Sequence, residues 1–379
     1  MNKKGILCVA NWDSNVGYAW WLMESFWVRM AEHYSKNYNV YLAYPTITFI
    51  PEAVDASSLV IKKEDFRHAS SIVQVIKQCV FIRKYRIEYI YYSDRPFFAI
   101  RYALFRFVGV KKIVVHDHTP GLRSLPTGLK KTIKELRSSL SLFNCDVVIG
   151  ATDFVRKRCV EVSCFPKEKC FSVPNGIPLY EGERGVIDVY KKFNIPRKRI
   201  VIVSTGRVSL YKGIDFALKV VEGLIKKGVH VHYLYLGDGP DIDQCKQLAL
   251  EEGIENYVSF PGGVECVDEY LRSCGIAFHP SRGEVGYSLS ILEYMRSGLP
   301  VVVPDNPSVS GATEHMNTGL IYRDNDVSSA VNNISELVND TELRKKLGKN
   351  SSDKIIKEFA LEKCHRKFIN VMNQVIFNG

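Results

Sequence analysis

Short apolar runs alternate with helix-like stretches along this chain, and the alternation starts over once. GILCVA (5–10), NVYLAY (39–44), IEYIYYS (87–93), KKIVVH (111–116), DVVIG (146–150) and KCFSVP (169–174) read as buried strands. Between them, Trp20 to about Tyr34, 68–84, 97–108 and 127–143 carry helical patterns. Strand, helix, strand in series implies right-handed crossovers and a parallel sheet covered by helices. A second series follows: RIVIVSTG (199–206), VHYLYLG (231–237), YVSFPG (257–262), GIAFHPS (275–281) and LPVVVPD (299–305), with helices at 213–227, 241–252, 266–273 and 288–297. The segment 174–198, rich in Pro, Gly and charge, reads as the linker, and 341–376 reads as helical throughout. The pattern predicts an α/β chain of two halves, 1–177 and 178–354.

Length and composition agree. The 379 residues suit two domains. With 46% hydrophobic and 24% charged residues, collagen-like and largely disordered chains are excluded. The net charge of +10 is uneven. Residues 1–177 hold 26 Lys+Arg against 15 Asp+Glu, and 178–379 hold 25 against 26. A basic half beside a neutral one suggests an anionic partner for the first half, or simply a basic solvated surface. The ten cysteines show no Cys-x-x-Cys and no zinc-finger spacing, and several sit in apolar runs. Reduced buried thiols and a cytoplasmic setting are the expectation. The apolar run 5–10 is too short for a secretory leader, and no run is long enough to span a bilayer.

Two segments carry chemistry. In STGRVSLYKG (204–213) a strand ends in Gly206, and Arg207 and Lys212 precede Gly213 and a helix. Two cations at the carboxyl edge of a parallel strand suit a diphosphate: an Arg fork takes two oxygens and a Lys adds a point charge. In HPSRGEVGYSLSILEYMRSGLPVVVPD (279–305) a Gly-containing loop opens a helix that contains Glu293. The N–H groups of 286–288 at that helix start form an anion or hydroxyl site. A carboxylate within the helix can accept from two neighbouring ribose hydroxyls. Two patterns are set aside. Asp241-Ile242-Asp243 opens a helix after Gly239-Pro240, where carboxylates cap rather than bind metal. Gly237-Asp238-Gly239-Pro240 lacks the third glycine of a dinucleotide fingerprint.

Taken in order, DVVIGATDFVRKR, VPNGI, GRVSLYKG, LGDGP, YVSFPG, the 279–305 segment and NTGLIY resemble the family-4-like glycosyltransferases, the glycosyl transferases group 1 family. The resemblance is strongest from Asp146 to Tyr322. It implies the GT-B architecture: two Rossmann-like parallel-sheet domains facing a central cleft, acceptor domain first and donor domain second, with a C-terminal helix (355–379) crossing back onto the first. By the same resemblance Arg207 and Lys212 hold the donor diphosphate and Glu293 binds the ribose. Gly206, Gly237, Gly262, Gly286, Tyr287, Ser288 and Leu289 complete the donor site. The family has a further glutamate eight residues before the ribose carboxylate, and that position here is Val285; Glu284 stands one place earlier. Either Glu284 reaches the donor sugar through a shifted loop, or the amides of 286–288 do more of the binding. KKIVVHDHTPG resembles the family strand ending in a histidine near the donor sugar, with His116 the better fit and His118 the second. Asn15 and Gly17 fall where the family places a loop touching diphosphate and acceptor.

The implied reaction is retaining, metal-independent hexosyl transfer from a nucleoside-diphosphate sugar, without a cofactor. The stretch 122–144 separates Lys130, Lys131, Lys134 and Arg137 from Leu129, Ile133, Leu136 and Leu140. Such a helix suits an anionic membrane surface or an ordinary domain face. Peripheral binding at the inner membrane face, with a lipid-linked or surface-polysaccharide acceptor, is the expectation. The basic half carries no nucleic-acid motif. A nucleotide-binding partner subunit without activity and a nucleotide-sugar 2-epimerase are the alternative readings.

Overall fold

The computed structural model describes residues 3–16, 20–68, 71–180 and 185–377; Gly17 lies outside these described residues. The chain divides into two compact units. The first comprises Met1–Thr119, Arg123–Asn175 and Glu362–Gly379, and the second Pro120–Leu122 and Gly176–Leu361.

The first unit is built on seven parallel strands: β1 (Lys4–Val9), β2 (Tyr38–Tyr44), β3 (Val60–Lys63), β4 (Ile87–Ser93), β5 (Lys112–Asp117), β6 (Val147–Gly150) and β7 (Cys170–Ser172), in the order β3-β2-β1-β4-β5-β6-β7. The central strands are buried on both faces, and that is why they read as near-continuous apolar runs. The strand order reverses between β1 and β4, so right-handed crossovers send the later helices to the face opposite the first helix. Helix Trp20–Tyr34 shares its face with the C-terminal helix Leu361–Phe377. The Phe26 and Phe368 ring centroids lie 4.9 Å apart, and Tyr34 Oη donates to Asn373 Oδ1 at 2.7 Å. Phe26 and Trp27, in the middle of the first helix, are fully buried, while Trp20 and Trp21 at its start are half-buried.

The second unit has six parallel strands: β8 (Ile200–Thr205), β9 (Val231–Leu236), β10 (Val258–Gly262), β11 (Ile276–Phe278), β12 (Val301–Pro304) and β13 (Gly319–Tyr322), in the order β10-β9-β8-β11-β12-β13. Its order reverses between β8 and β11. Helix Ile214–Lys226 buries Ile214, Leu218, Val221 and Leu224 against Ile202, Tyr233 and Phe278 of the sheet. β10 carries Pro261 and is an edge strand, where a missing N–H costs no ladder bond.

The predicted helices 68–84, 97–108 and 127–143 are Ile72–Lys84, Ile100–Phe107 and Gly128–Ser139, the last followed by a 3₁₀ turn, Ser141–Phe143. The stretch expected to be helical from 341 to 376 is broken. Thr341–Lys354 runs into a π-helical turn, Ile355–Phe359; Ala360 (φ −59°, ψ 127°) leaves the helical region and bridges Ile177, and a new helix starts at Leu361. The chain therefore passes to the first unit at Glu362 rather than 355. The expected linker 174–198 holds a short helix, Val189–Lys192, capped by Asp188.

Candidate donor-binding site

In the second unit the strand-order reversal leaves a crevice at the carboxyl ends of β8 and β11, the place where open α/β sheets bind ligands. The chain leaves β8 through Gly206 and β11 through His279. Gly206 N donates to Leu236 O at 3.1 Å, and Gly237 N donates to Gly262 O at 2.9 Å, so the ends of β8, β9 and β10 form one floor. Gly237 is obligatory there, because a Cβ would stand 1.8 Å from Gly206 O. Gly213, at φ 74°, sits where a Cβ would meet Pro280 O at 2.0 Å.

The loop between Gly206 and Gly213 is held by Asp241. Its carboxylate does not cap its own helix, as expected from sequence; it accepts from Leu210 N at 2.8 Å. Asp243 is solvent-exposed, 3.9 Å from Lys246. Among the described residues no group of three or more His, Cys, Asp or Glu is placed to hold a metal ion. Arg207 is exposed, and its guanidinium has no partner among the described residues.

Lys212 turns inward. Its Nζ donates to Glu284 Oε1 at 2.6 Å, and His279 Nε2 lies 3.1 Å from the same oxygen. Ser288 Oγ is 3.3 Å from His279 Nε2 and accepts from Ile291 N, capping helix Leu289–Arg296. Four predicted or neighbouring side chains thus meet at one point: Lys212, Glu284, His279 and Ser288. Burial opposes ionisation of Glu284, but the His279 hydrogen bond and the Lys212 charge override it and hold the carboxyl at about 2. Burial, partly offset by Glu284, lowers the affinity of His279 for a proton.

Glu284 is 8% exposed, while Val285 is less buried. The loop is therefore in the register that sends Glu284 into the site. A turn after β12 fixes this register. Asn306 Oδ1 accepts from Ser308 N and Oγ, Ser308 Oγ accepts from Glu284 N at 3.4 Å, and Ser308 O accepts from Gly286 N at 2.8 Å. The Gly286 amide is thus engaged and not open to an anion, contrary to the sequence expectation. Tyr287 is buried against Phe359, with ring centroids 5.2 Å apart. The N–H groups of Ser288 and Leu289, at the helix start, have no acceptor among the described residues. Sequence reasoning missed His279, Asn306 and Ser308. The Asn-Pro-Ser turn chemistry was the available signal for the last two.

One turn further on, Tyr294 ties the helix to β8, its Oη accepting from Thr205 N at 2.5 Å. Glu293, on the less buried side, has no hydrogen-bond partner among the described residues. Burial, set against nearby Arg296, pushes its carboxyl up to about 7. An unpaired acceptor in this place suits the vicinal hydroxyls of a ribose.

The residues expected in the first unit are described by themselves. His116 is fully buried, its Nδ1 2.6 Å from Tyr91 Oη and its ring among Phe26, His118 and Phe368. Burial and the His118 charge hold it well below the usual histidine range. The better-fitting histidine of the sequence reading is thus a neutral core residue here. His118 is the more accessible of the two, 12% exposed at its side chain; its Nδ1 lies 4.0 Å from Asp94 Oδ1, and neither ring nitrogen makes a hydrogen bond among the described residues. Asn15 is exposed and its N–H donates to Asp13 Oδ1.

Residues 188–354 match the family of glycosyl transferases group 1. The match lies within the second unit and spans less than half of the chain. A glycosyltransferase of Haemophilus influenzae is 34% identical over 143 residues, 38% of this chain and 40% of that protein. The curated relatives are matched over half or less of their own length. A glycosyltransferase of Rickettsia africae superposes with a TM-score of 0.78 at 15% identity, over 100% of both chains. The Anabaena protein HepE, solved with UDP and glucose, gives 0.72 at 16% identity, over 98% of this chain and 100% of that one. The seven- and six-stranded parallel sheets are those of the GT-B fold.

Proposed function

We propose that this protein is a glycosyltransferase that takes a hexose from a nucleoside-diphosphate donor bound to its second unit, with retention of anomeric configuration and without a metal ion. The observation that carries the reading is the Lys212–Glu284–His279 cluster beside the unpaired Glu293 at the β8/β11 reversal. Similarity to HepE, which was solved with UDP and glucose, supports it. The ribose hydroxyls bind Glu293. The diphosphate meets Arg207, Lys212 and the open amides of Ser288 and Leu289. As the sugar–oxygen bond breaks, charge grows on the leaving diphosphate, and these groups bind it most tightly in the transition state. Glu284 both holds Lys212 in place and offers a second oxygen to the sugar hydroxyls. A donor phosphate oxygen takes the proton of the acceptor hydroxyl as it attacks from the same face. The inward-facing Glu284, beside the position where the resembled family has its carboxylate and this chain has Val285, supports an active transferase over an inactive binding subunit.

The acceptor is lipid-linked or part of a surface polysaccharide, met by the first unit at an anionic membrane surface. Helix Gly128–Ser139 supports this: none of its residues is buried, and Leu129 (77%) and Leu136 (65%) stand in solvent beside Lys130 and Lys131. No helix of the described residues is long and apolar enough to cross a membrane. Incubation with nucleotide sugars and extracted membrane glycolipids tests the reaction. The expected result is nucleoside diphosphate release matched by a glycosylated product whose anomeric carbon keeps the donor configuration by NMR. An inverted product rejects retention, and nucleotide binding without release or product rejects the enzyme.

A further inference from the structure

The first sheet also reverses its order, between β1 and β4, and the crevice at that point holds a second cluster. Asn11, just past β1, accepts on Oδ1 from Arg95 Nε at 2.8 Å, and its own amide donates to Ser93 O at 2.6 Å. Arg95, just past β4, and Arg101, in the first turn of helix Ile100–Phe107, both donate to the carbonyl of Arg67, each at 3.0 Å. Arg67 is neutralised by Asp65 through two hydrogen bonds, at 2.9 and 3.0 Å. Neither Arg95 nor Arg101 is hydrogen-bonded to a carboxylate among the described residues; the Asp94 charge acts on Arg95, and the Arg101 guanidinium lies 5.9 and 6.0 Å from the Tyr92 and Tyr102 rings. Arg101 is only 9% exposed, and its Nε is buried without an acceptor. Burial and the neighbouring Arg101 charge weaken Arg95's hold on its proton. Two guanidinium groups converging on one neutral carbonyl are a costly arrangement unless an anion completes it.

These arginines form one wall of a cavity of about 490 Å³. Ile72, Val75, Ile100 and Leu104 supply apolar lining of the same cavity. The cavity continues between helices Ile72–Lys84 and Ile100–Phe107 into an apolar groove of about 310 Å³ that also takes in Ile76 and Val80. Ile72, Ile76 and Val80 share one face of their helix over about 12 Å, and Ile72 is 79% exposed. The start of helix Ile100–Phe107, capped at Ala99 by no side chain, adds a favourable dipole for an anion.

We propose that this cavity binds a phosphorylated single-chain lipid, the phosphate on Arg95 and Arg101 and the hydrocarbon along the groove. A phosphate offers enough oxygens to satisfy both guanidinium forks, and a chain covers apolar surface that otherwise faces water. That this lipid is the sugar acceptor rests on the transferase reading above; its binding does not.

Calorimetric titration of the full chain with geranyl monophosphate, inorganic phosphate and geraniol tests the site. Geranyl monophosphate is expected to bind at least ten-fold tighter than phosphate, with geraniol weaker still. Arg95→Gln should weaken it ten-fold or more. Ile72→Ser, a change at an exposed position, should weaken geranyl monophosphate severalfold and leave phosphate unaffected. Both variants should keep the wild-type melting temperature within a few degrees and the wild-type nucleotide affinity. Equal binding of geranyl monophosphate and phosphate overturns the proposal, as does unchanged binding by both variants. So does binding to phosphatidylglycerol vesicles with none of the monomer, which would leave only a bilayer headgroup contact. Loss of nucleotide binding with geranyl monophosphate binding intact would instead count against the donor site alone.

Discussion

Glu284 and Glu293 lie nine residues apart and are driven in opposite directions by their surroundings. Glu284 is depressed from 4.5 to about 2. Its ion pair therefore contributes stability that is fully present above about pH 4.5 and is lost as pH falls towards 2. Glu284→Gln leaves Lys212 without its partner and should cost about 2 kcal/mol at pH 7. The melting-temperature gap from wild type should narrow between pH 5 and pH 3; a constant gap would mean that the pair is not what Glu284 supplies. Glu293 is raised from 4.5 to about 7, so its ionisation works against the fold as pH rises through 7. Glu293→Gln should melt higher than wild type at pH 8 and not at pH 5, while binding the nucleotide about ten-fold less tightly. Which side chain of this loop enters the site was not readable from the sequence. The choice between Glu284 and Val285 is one of loop register, and the register is fixed by Asn306 and Ser308, more than twenty residues away.

At the scale of elements, the long apolar strands were legible because a strand buried on both faces has few polar positions to hide it. β3 (VIKK) was not, since an edge strand with two lysines lacks that signature. The break at Ala360 was equally hidden: nothing in the local pattern opposes a helix, and the bridge to Ile177 imposes it. The arginine cluster is scattered over three connections, so no spacing announces it. The ends of β8 and β9 and the start of helix Leu289–Arg296 are fixed by contacts that single substitutions test. Gly237→Ala drives a Cβ into the Gly206 carbonyl and should unfold the protein at a clearly lower temperature. Tyr294→Phe strips a buried acceptor from Thr205 N and should cost about 1–3 kcal/mol. Its donor KM should rise further than its kcat falls, since the loss loosens the floor of the site rather than the reacting groups. Equal stability of Tyr294→Phe and wild type would show that the helix is positioned by its apolar face alone.

At the scale of the whole molecule, the uneven charge acquires two uses. In the proposed function the neutral second half binds its anion with a few placed groups; the basic first half carries Arg95, Arg101 and the exposed helix Gly128–Ser139. Co-sedimentation with vesicles rich in phosphatidylglycerol should be strong at low salt and fall as salt rises. It should weaken in a Leu129→Glu, Leu136→Glu double variant that still folds; binding that ignores both salt and these leucines would exclude the helix as the contact. Thermal shift across UDP, GDP, ADP, CDP and dTDP probes the donor site itself. One of these nucleotides should raise the melting temperature of the full chain by several degrees at saturating concentration. Arg207→Ala with Lys212→Ala should abolish that rise. No shift with any nucleotide, or a shift that survives the double variant, would contradict the account.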